Sequence, residues 1–471
     1  MNSPRHVASA SNERARWPAR DPIPAVAHAV DGAAPDDLDA CLVADRMRDE
    51  LQAVLPGFAD GRWTIDALTV RGARRNASRT RNPVRLAVVY ELSARERAGG
   101  RRERLVLHGR VYRPGADEDC WREHQGRSWV PVPVGAPMVR HAARAMVLWA
   151  LPNDPGLAAL AELLDPARAR QRLCDLSGHA PTDPAWAVTL VRHEPGDRAC
   201  LRYAAADERA NPSEAVYAKV FADARARAVH QRFAHAWASA SRDADAPRVA
   251  RPLGWCPDTG SVWFEAARGT PLLQALPGAG GASTLARVGR ALARLHGWPL
   301  ELAAGAEVRD AAHWLREVGR RHRKIARVAP GTRGALDELV ARLASRADEV
   351  RGRALCLVHG DFHHDQVWID DGRPVFFDLD ECTLGDPMED LASFTVKLGL
   401  LGVHDSLLAA VVQGYARAAG ERFDRRALAW HGKVQGLLQA ARAFGFQRPG
   451  WRADLERRLA LALREDLPEW A

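Results

Sequence analysis

The segment LVHGDFHHDQVWIDDGRPVFFDLDECTLGDPMEDL, Leu357 to Leu391, constrains the fold of this chain more than any other stretch. Its apolar runs are short and break at acidic residues, giving strand, polar loop, strand, Asp-Gly turn, strand and helix start. Asp361 closes the first run, and Asp378 closes Pro374-Val375-Phe376-Phe377 about 17 residues later. Short hairpin geometry can therefore hold both carboxylates at one end of a small sheet. Two carboxylates brought together by strands suggest a metal-assisted site.

Phosphoryl transfer from ATP needs one carboxylate to accept or orient the acceptor hydroxyl, a second to hold magnesium, and a carboxamide to complete the metal shell. His359-Gly360-Asp361 with Gln366 five places on follows the spacing of the protein-kinase H-R-D…N loop, and Asp378-Leu379-Asp380 stands where D-F-G would. On these residues the segment resembles the aminoglycoside phosphotransferase and choline kinase family. The resemblance extends to Gly385-Asp386-Pro387 and Asp390-Leu391-Ala392, where the family has GDP…DLA. Gln366 departs from the usual Asn; it is one methylene longer, offers the same carbonyl oxygen to a hard cation, and is a feature of maltokinase-like members. A transition-metal site is the competing reading, since His359, Asp361, His363, His364 and Asp365 are ordinary ligands. Their spacing completes no two-metal pattern elsewhere in the chain, and a surface loop would not explain Asp378 after Val-Phe-Phe.

A length of 471 residues exceeds one core and implies two or three domains. No apolar stretch approaches the ~20 residues that span a bilayer, and the first residues have no apolar leader region. The seven cysteines are scattered and form no C-x-x-C pair, which suits reduced thiols in a cytoplasm. A formal charge of +8 would permit nucleic-acid binding, but the basic residues are interleaved with acids and lack an aromatic stacking motif, so neither nucleic acid nor membrane is expected as a partner.

Residues 1–35 lack a sustained period and are expected to form a mobile arm. Leu38 to Leu55 has helical spacing, and strands follow at Trp63–Val70, Val84–Leu92 and Leu105–Tyr112. The same order of elements recurs from Trp186 to Phe221, with Gly109-Arg110-Val111-Tyr112 echoing Ala218-Lys219-Val220-Phe221. Either a duplication or a shared meander plan explains the echo. Helical segments over 155–176 lead to a boundary at Pro181–Pro184.

The turn His193 to Arg198 sits where kinase folds place a strand-turn-strand over the phosphates; with Gly196 alone, an ordinary hairpin remains open. Lys219 is one of four lysines among 67 basic residues and lies inside Val-Tyr-Ala-Lys-Val-Phe. An ammonium reaching the α- and β-phosphates would satisfy it there, and an edge-strand lysine snorkelling to water is the alternative. The following helix, Ala224 to Ala240, has Val229, Phe233, Ala236 and Trp237 on one face and no glutamate to pair with that lysine. Val262-Trp263-Phe264-Glu265 and Gly269-Thr270-Pro271-Leu272 resemble the family's hinge, so Glu265 to Ala267 would receive the adenine edge. Helices are expected at Leu285–His296, Trp314–Ile325, Leu336–Val350 and in a C-terminal bundle, where Trp430, His431, Gln435, Arg442 and Trp451 are candidates for the acceptor pocket. Asp386 and Asp390 are expected to cap the helix after them.

The resemblance implies an α+β, bilobal protein-kinase-like fold behind an N-terminal α+β cap. The expected division is an arm at 1–35, the cap and connecting helices at 36–180, a β-rich lobe at 181–268 and a helical lobe at 269–471. It further implies ATP and Mg2+ as cofactors and a sugar or other hydroxylated metabolite as acceptor. Asp361 would orient or deprotonate the hydroxyl, Gln366 and Asp378 would hold the metal, and Asp380 would touch metal or acceptor. Lys219, Gly196, Glu265 and Ala267 would bind nucleotide. A nucleotide-binding pseudokinase is the rival, motivated by Gln366, the sparse glycine turn and the missing helix glutamate.

Overall fold

The computed structural model describes residues 37–75, 84–177, 186–205, 215–278, 280–446 and 450–463. The arm at 1–35 and the boundary at Pro181–Pro184 lie outside the described residues.

The first layer is an antiparallel sheet of β1 (Trp63–Arg75), β2 (Leu86–Glu96), β3 (Arg102–Val111), β4 (Met138–His141) and β5 (Met146–Ala150), in the order β1-β2-β3-β5-β4. Alternating burial along β2 sends Leu86, Val88, Tyr90, Leu92 and Ala94 to one face, as a sheet period of two requires. Two helices cover that face, α1 (Asp37–Ala40) and α2 (Ala44–Val54). The single helix expected over Leu38–Leu55 is thus broken at 41–43, where the Tyr90 hydroxyl donates to the Cys41 carbonyl at 2.7 Å and diverts it from a helical partner. The opposite face packs Tyr112, Val147 and Trp149 against Cys120 on α3 (Ala116–His124), an element that periodicity did not reveal.

After α4 (Leu160–Leu163) and α5 (Pro166–Ser177), a second sheet repeats the plan. Its strands β6 (Trp186–Glu194), β7 (Arg198–Ala205), β8 (Val216–Phe221), β9 (Pro252–Cys256) and β10 (Ser261–Glu265) run in the order β6-β7-β8-β10-β9. In each sheet the lone long helix lies between the third and fourth strands, here α6 (Ala226–Ala240). The echo seen in sequence is positional as well: Arg110 on β3 pairs with Val147 on the fifth strand, and Lys219 on β8 pairs with Val262 on the tenth. On α6, Val229, Phe233 and Ala236 are buried, whereas Trp237 points to solvent and Arg232 turns inward instead.

The helical lobe begins with β11 (Thr270–Pro271), α7 (Leu272–Ala275) and α8 (Gly281–Leu295). It continues through β12 (Val308–Arg309), α9 (Ala311–Val328) and α10 (Arg333–Ser345). Two three-stranded sheets then frame the constraining segment. β13 (Cys356–Val358) lies with β12 and β16 (Thr383–Gly385), and β14 (Val367–Asp370) lies with β11 and β15 (Arg373–Phe376). The chain closes with α11 (Met388–Leu400), α12 (Asp405–Ala419), α13 (Arg425–Phe446) and α14 (Trp451–Leu463). One continuous apolar core joins α6, the second sheet and this lobe. The protein is therefore α+β and bilobal, with a β-rich and a helical lobe.

Helices α8 and α12 meet backbone to backbone. A Cβ on Gly289 would collide with the Val411 carbonyl and fall 2.7 Å from the Tyr415 nitrogen, and one on Gly414 would fall 2.7 Å from Ala286 Cα. Neither obstacle is a flexible side chain, so the contact cannot relax locally. Gly289→Val is expected to destabilise the protein by at least ~3 kcal/mol in urea unfolding, beyond the usual cost of overpacking, while Gly334→Val on the open side of α10 costs far less.

Candidate active site

The loop between β13 and β14 is held from inside by a carboxylate. Asp390 on α11, 1% exposed, accepts from His359 N at Oδ2, 2.6 Å, and from Gly360 N at Oδ1, 3.0 Å, and His296 Nε2 lies 3.1 Å from the same Oδ2. Asp390 was expected as a helix cap; the inward turn of the loop gives its oxygens better partners. Asp386 does bond as a cap residue would, accepting from Met388 N at 2.9 Å. Gly360 has φ +82, and a Cβ there would strike the Glu381 carbonyl, so glycine is required between His359 and Asp361. His359 faces away from the loop's other imidazoles, with Nε2 2.8 Å from the Phe377 carbonyl. His363, His364 and Asp365 bring ligand atoms within 4.8 Å of one another, but the five-residue cluster of the transition-metal reading is not assembled.

Asp361 stands at the loop's mouth. Lys397 Nζ on α11 donates to its Oδ1 at 2.9 Å, Arg442 on α13 lies 3.6 Å from the same oxygen, and His363 Nε2 lies 3.6 Å from Oδ2. Burial would raise the Asp361 carboxyl, but His363, Lys397 and Arg442 outweigh it and hold the group well below the ordinary range. Asp361 is thus an ionised acceptor at neutral pH. Of the five bundle candidates, Arg442 reaches the site; Trp430 instead donates to the Leu343 carbonyl at 3.0 Å.

Asp378 follows β15 in the left-handed region, φ +59, which a short polar side chain tolerates and a branched one does not. That turn aims three groups at one point. Lys219 Nζ donates to Asp378 Oδ1 at 2.6 Å and to the two Asp380 oxygens at 3.1 and 3.0 Å. Gln366 Nε2 is 3.0 Å from Asp378 Oδ2 and 3.4 Å from His363 Nε2, which links Asp361 to Asp378 through adjacent side chains. Burial alone would depress the Lys219 ammonium, but Asp380 and Asp378 hold its pKa above the ordinary value. Burial pushes Asp380 above the carboxylate range, with Lys219 opposing and Asp378 adding; for Asp378 the Lys219 charge overcomes burial and the shift is downward.

The glutamate missing from α6 is replaced twice over. Asp380 pairs with Lys219, and Arg232 of α6 donates to the Leu379 and Asp380 carbonyls at 3.0 and 3.2 Å, fixing the turn that carries Asp380. Arg198 adds a second cation, 3.1 Å from Glu381 and 3.6 Å from Asp380. Asp378, Asp380 and the Gln366 amide form an all-oxygen donor set once the amide is turned by its flip, a set that suits a hard divalent cation.

Of the residues expected to bind nucleotide, Gly196 and Glu265 have amides that are already engaged. Gly196, φ +76, tops the β6–β7 turn as expected, but its N–H donates to Asp154 and the Asp197 N–H to the Glu194 carbonyl, so both amides are bonded within the protein. Glu265 N and Ala266 N donate to Arg251 O and Ala215 O, and the Glu265 side chain bonds Arg251 at 3.0 Å. Sequence reasoning missed Lys397, Arg232, Arg198 and the loop-anchoring role of Asp390. Lys397 was within reach, because the rarity of lysine that singles out Lys219 applies equally to it.

Residues 202–431 match the model of the phosphotransferase enzyme family, APH. That span contains Lys219, Asp361, Gln366, Asp378 and Asp380. A search of curated proteins gives no match. Among solved structures the chain is similar to a thermostable mutant of aminoglycoside phosphotransferase APH(4)-Ia in ternary complex with ADP and hygromycin B, at 15% identity and TM-score 0.44, covering 63% of this chain and 97% of that one. It is similar also to amicoumacin kinase hAmiN in complex with AMP-PNP, Ca2+ and Ami, at 15% identity and TM-score 0.42, covering 64% and 93%. A third is aminoglycoside phosphotransferase APH(3'')-Id from Streptomyces rimosus ATCC10970, at 20% identity and TM-score 0.36, covering 57% and 98%. Among the described residues no helix is long and apolar enough to cross a membrane.

The placement of Lys219 is testable without any ligand. Lys219→Met leaves two buried carboxylates facing each other, and Asp378→Asn relieves that repulsion. A double-mutant cycle on the pair in urea unfolding is expected to show a coupling of about 1–3 kcal/mol; additive effects would mean the two side chains do not meet.

Proposed function

We propose that this protein transfers the γ-phosphate of ATP to a hydroxyl of a small molecule, a sugar or another hydroxylated metabolite. The observation that carries the reading is the unbroken run of polar side chains from Asp361 through His363, Gln366 and Asp378 to Lys219 and Asp380, which supports one site in which acceptor, metal and phosphate would lie side by side. Phosphoryl transfer asks a protein mainly to position reactants and neutralise charge, and this run does both.

In this reading Lys219 and Arg198 bind the nucleotide phosphates. Asp378 and Gln366 hold a divalent cation, Mg2+, which supplies charge neutralisation on the phosphates when bound, and Asp380 assists there or fixes Lys219. Asp361 accepts the hydroxyl hydrogen bond of the acceptor and orients its oxygen. With its pKa held down by Lys397 and Arg442, it works by orientation and charge rather than by storing a proton. The Ala267 backbone is left to meet the adenine edge, since the amides of Glu265 and Ala266 are committed. The second sheet and α6 act as the nucleotide lobe (181–268), the helices after it as the acceptor lobe (269–471), and the first sheet with α4 and α5 as a cap (36–180). Scattered cysteines with no C-x-x-C pair support a cytoplasmic setting.

ATP turnover with Mg2+ over a panel of sugars, amino alcohols and aminoglycosides tests the reading. Asp361→Asn is expected to lower kcat by at least ~100-fold with little change in ATP binding. Nucleotide binding with no Asp361-dependent turnover on any acceptor would support the pseudokinase instead. Lys397→Met removes a cation from beside Asp361 and so raises its pKa. The acidic limb of kcat/KM is then expected to move to higher pH, and an unchanged profile would separate Lys397 from the reaction.

A further inference from the structure

The turn between β6 and β7 is fastened to the first sheet by a buried carboxylate. Asp154, four residues past the end of β5, has a side chain with no exposure. Its Oδ2 accepts from Gly196 N at 2.8 Å and from His193 Nε2 at 2.8 Å, and its Oδ1 accepts from Gly156 N at 2.9 Å. The two backbones are in contact as well: a Cβ on Gly156 would fall 2.6 Å from Gly196 Cα. Arg110, at the place in the first sheet that Lys219 holds in the second, packs its guanidinium on Gly196, with Cζ 3.0 Å from where a Cβ would stand and 5.4 Å from the Trp149 ring. The His108 ring meets His193 edge-on at 5.4 Å, and its Nε2 lies 2.9 Å from the Asn153 carbonyl.

Two residues beyond Gly196 the chain places Arg198, which faces Asp380 and Glu381 beside Lys219. Since the amides of Gly196 and Asp197 are already bonded within the protein, what the turn offers a polyphosphate is the Arg198 side chain. We propose that Asp154 is a positioning residue for the nucleotide: it fixes the Glu194–Arg198 turn from the first sheet, so that this sheet sets nucleotide affinity through Arg198. The proposal rests on the phosphotransfer reading.

Asp154→Asn retains size but not bonding. An amide that faces its oxygen to Gly196 and His193 turns its NH2 onto the Gly156 N–H, and the reverse orientation abandons the turn. Gly156→Ala pushes on Gly196 Cα without touching any charge, and keeps the test open if the first variant does not fold. Asp117→Asn is the control, since Asp117 is equally buried in the first-sheet region but bonds Arg140, at 2.8 Å, away from the turn. Hydrogen–deuterium exchange over 193–198 and calorimetric titration with AMP-PNP and Mg2+ on the full chain give the two readouts. Asp154→Asn and Gly156→Ala are expected to speed exchange in that segment and weaken AMP-PNP by about tenfold, and Asp117→Asn to lower Tm without either effect. Wild-type binding that both turn variants leave unchanged or tighten, or an equal loss in Asp117→Asn, would overturn the positioning role. A wild type that does not bind AMP-PNP would instead overturn the phosphotransfer reading on which it rests.

Discussion

The ammonium of Lys219, set between Asp378 and Asp380, is the interaction on which the arrangement of the protein depends. It joins a central strand of the second sheet to a turn 159 residues later in the helical lobe. Neither side could keep its charges buried alone. Removing one partner of a buried ionic set leaves the other uncompensated, a penalty of about 3–5 kcal/mol. The two lobes therefore meet in a geometry fixed by charge as well as by apolar contact. Arg232 extends the same logic by bonding the carbonyls of the turn, so α6, which has no glutamate for the lysine, braces the carboxylates with a cation.

Much of the site was legible because its residues break an otherwise regular pattern. Asp361 and Asp378 end apolar runs, Gln366 sits five places past the first, and Lys219 stands out in a chain that does its basic work with arginine. What was illegible is long-range pairing. Nothing near Asp390 in sequence shows that its oxygens will serve His359 and Gly360, and nothing near Arg198 or Arg232 marks them as facing the 378–381 turn. The amides of Gly196 and Glu265 illustrate the opposite failure. A glycine turn or a hinge strand can be recognised from residue types, but whether its N–H groups are free depends on neighbours such as Asp154 and Arg251.

The fold divides in the same way. Helical periods located α8 to α14 closely, because a lobe built around one core demands wide apolar stripes. In the first sheet, α3, β4 and β5 were not anticipated, since four- and five-residue strands are too short to show a period. Yet the repeated strand order, with a helix after the third strand each time, makes the echo of Arg110 and Lys219 more than a coincidence of spelling. In one sheet that position faces two carboxylates; in the other it packs on an indole and a glycine.

The glycine contact between α8 and α12 has a mechanical corollary. α8 ends at Leu295, and His296 just beyond it bonds both Tyr415 of α12 and Asp390 beneath the loop between β13 and β14. With the two helix axes locked by Gly289 and Gly414, the helical lobe is tied together from its outer helices to the loop backbone. A displacement of one lobe against the other would therefore fall on the short stretch from Glu265 to Gly269, where the chain passes between them.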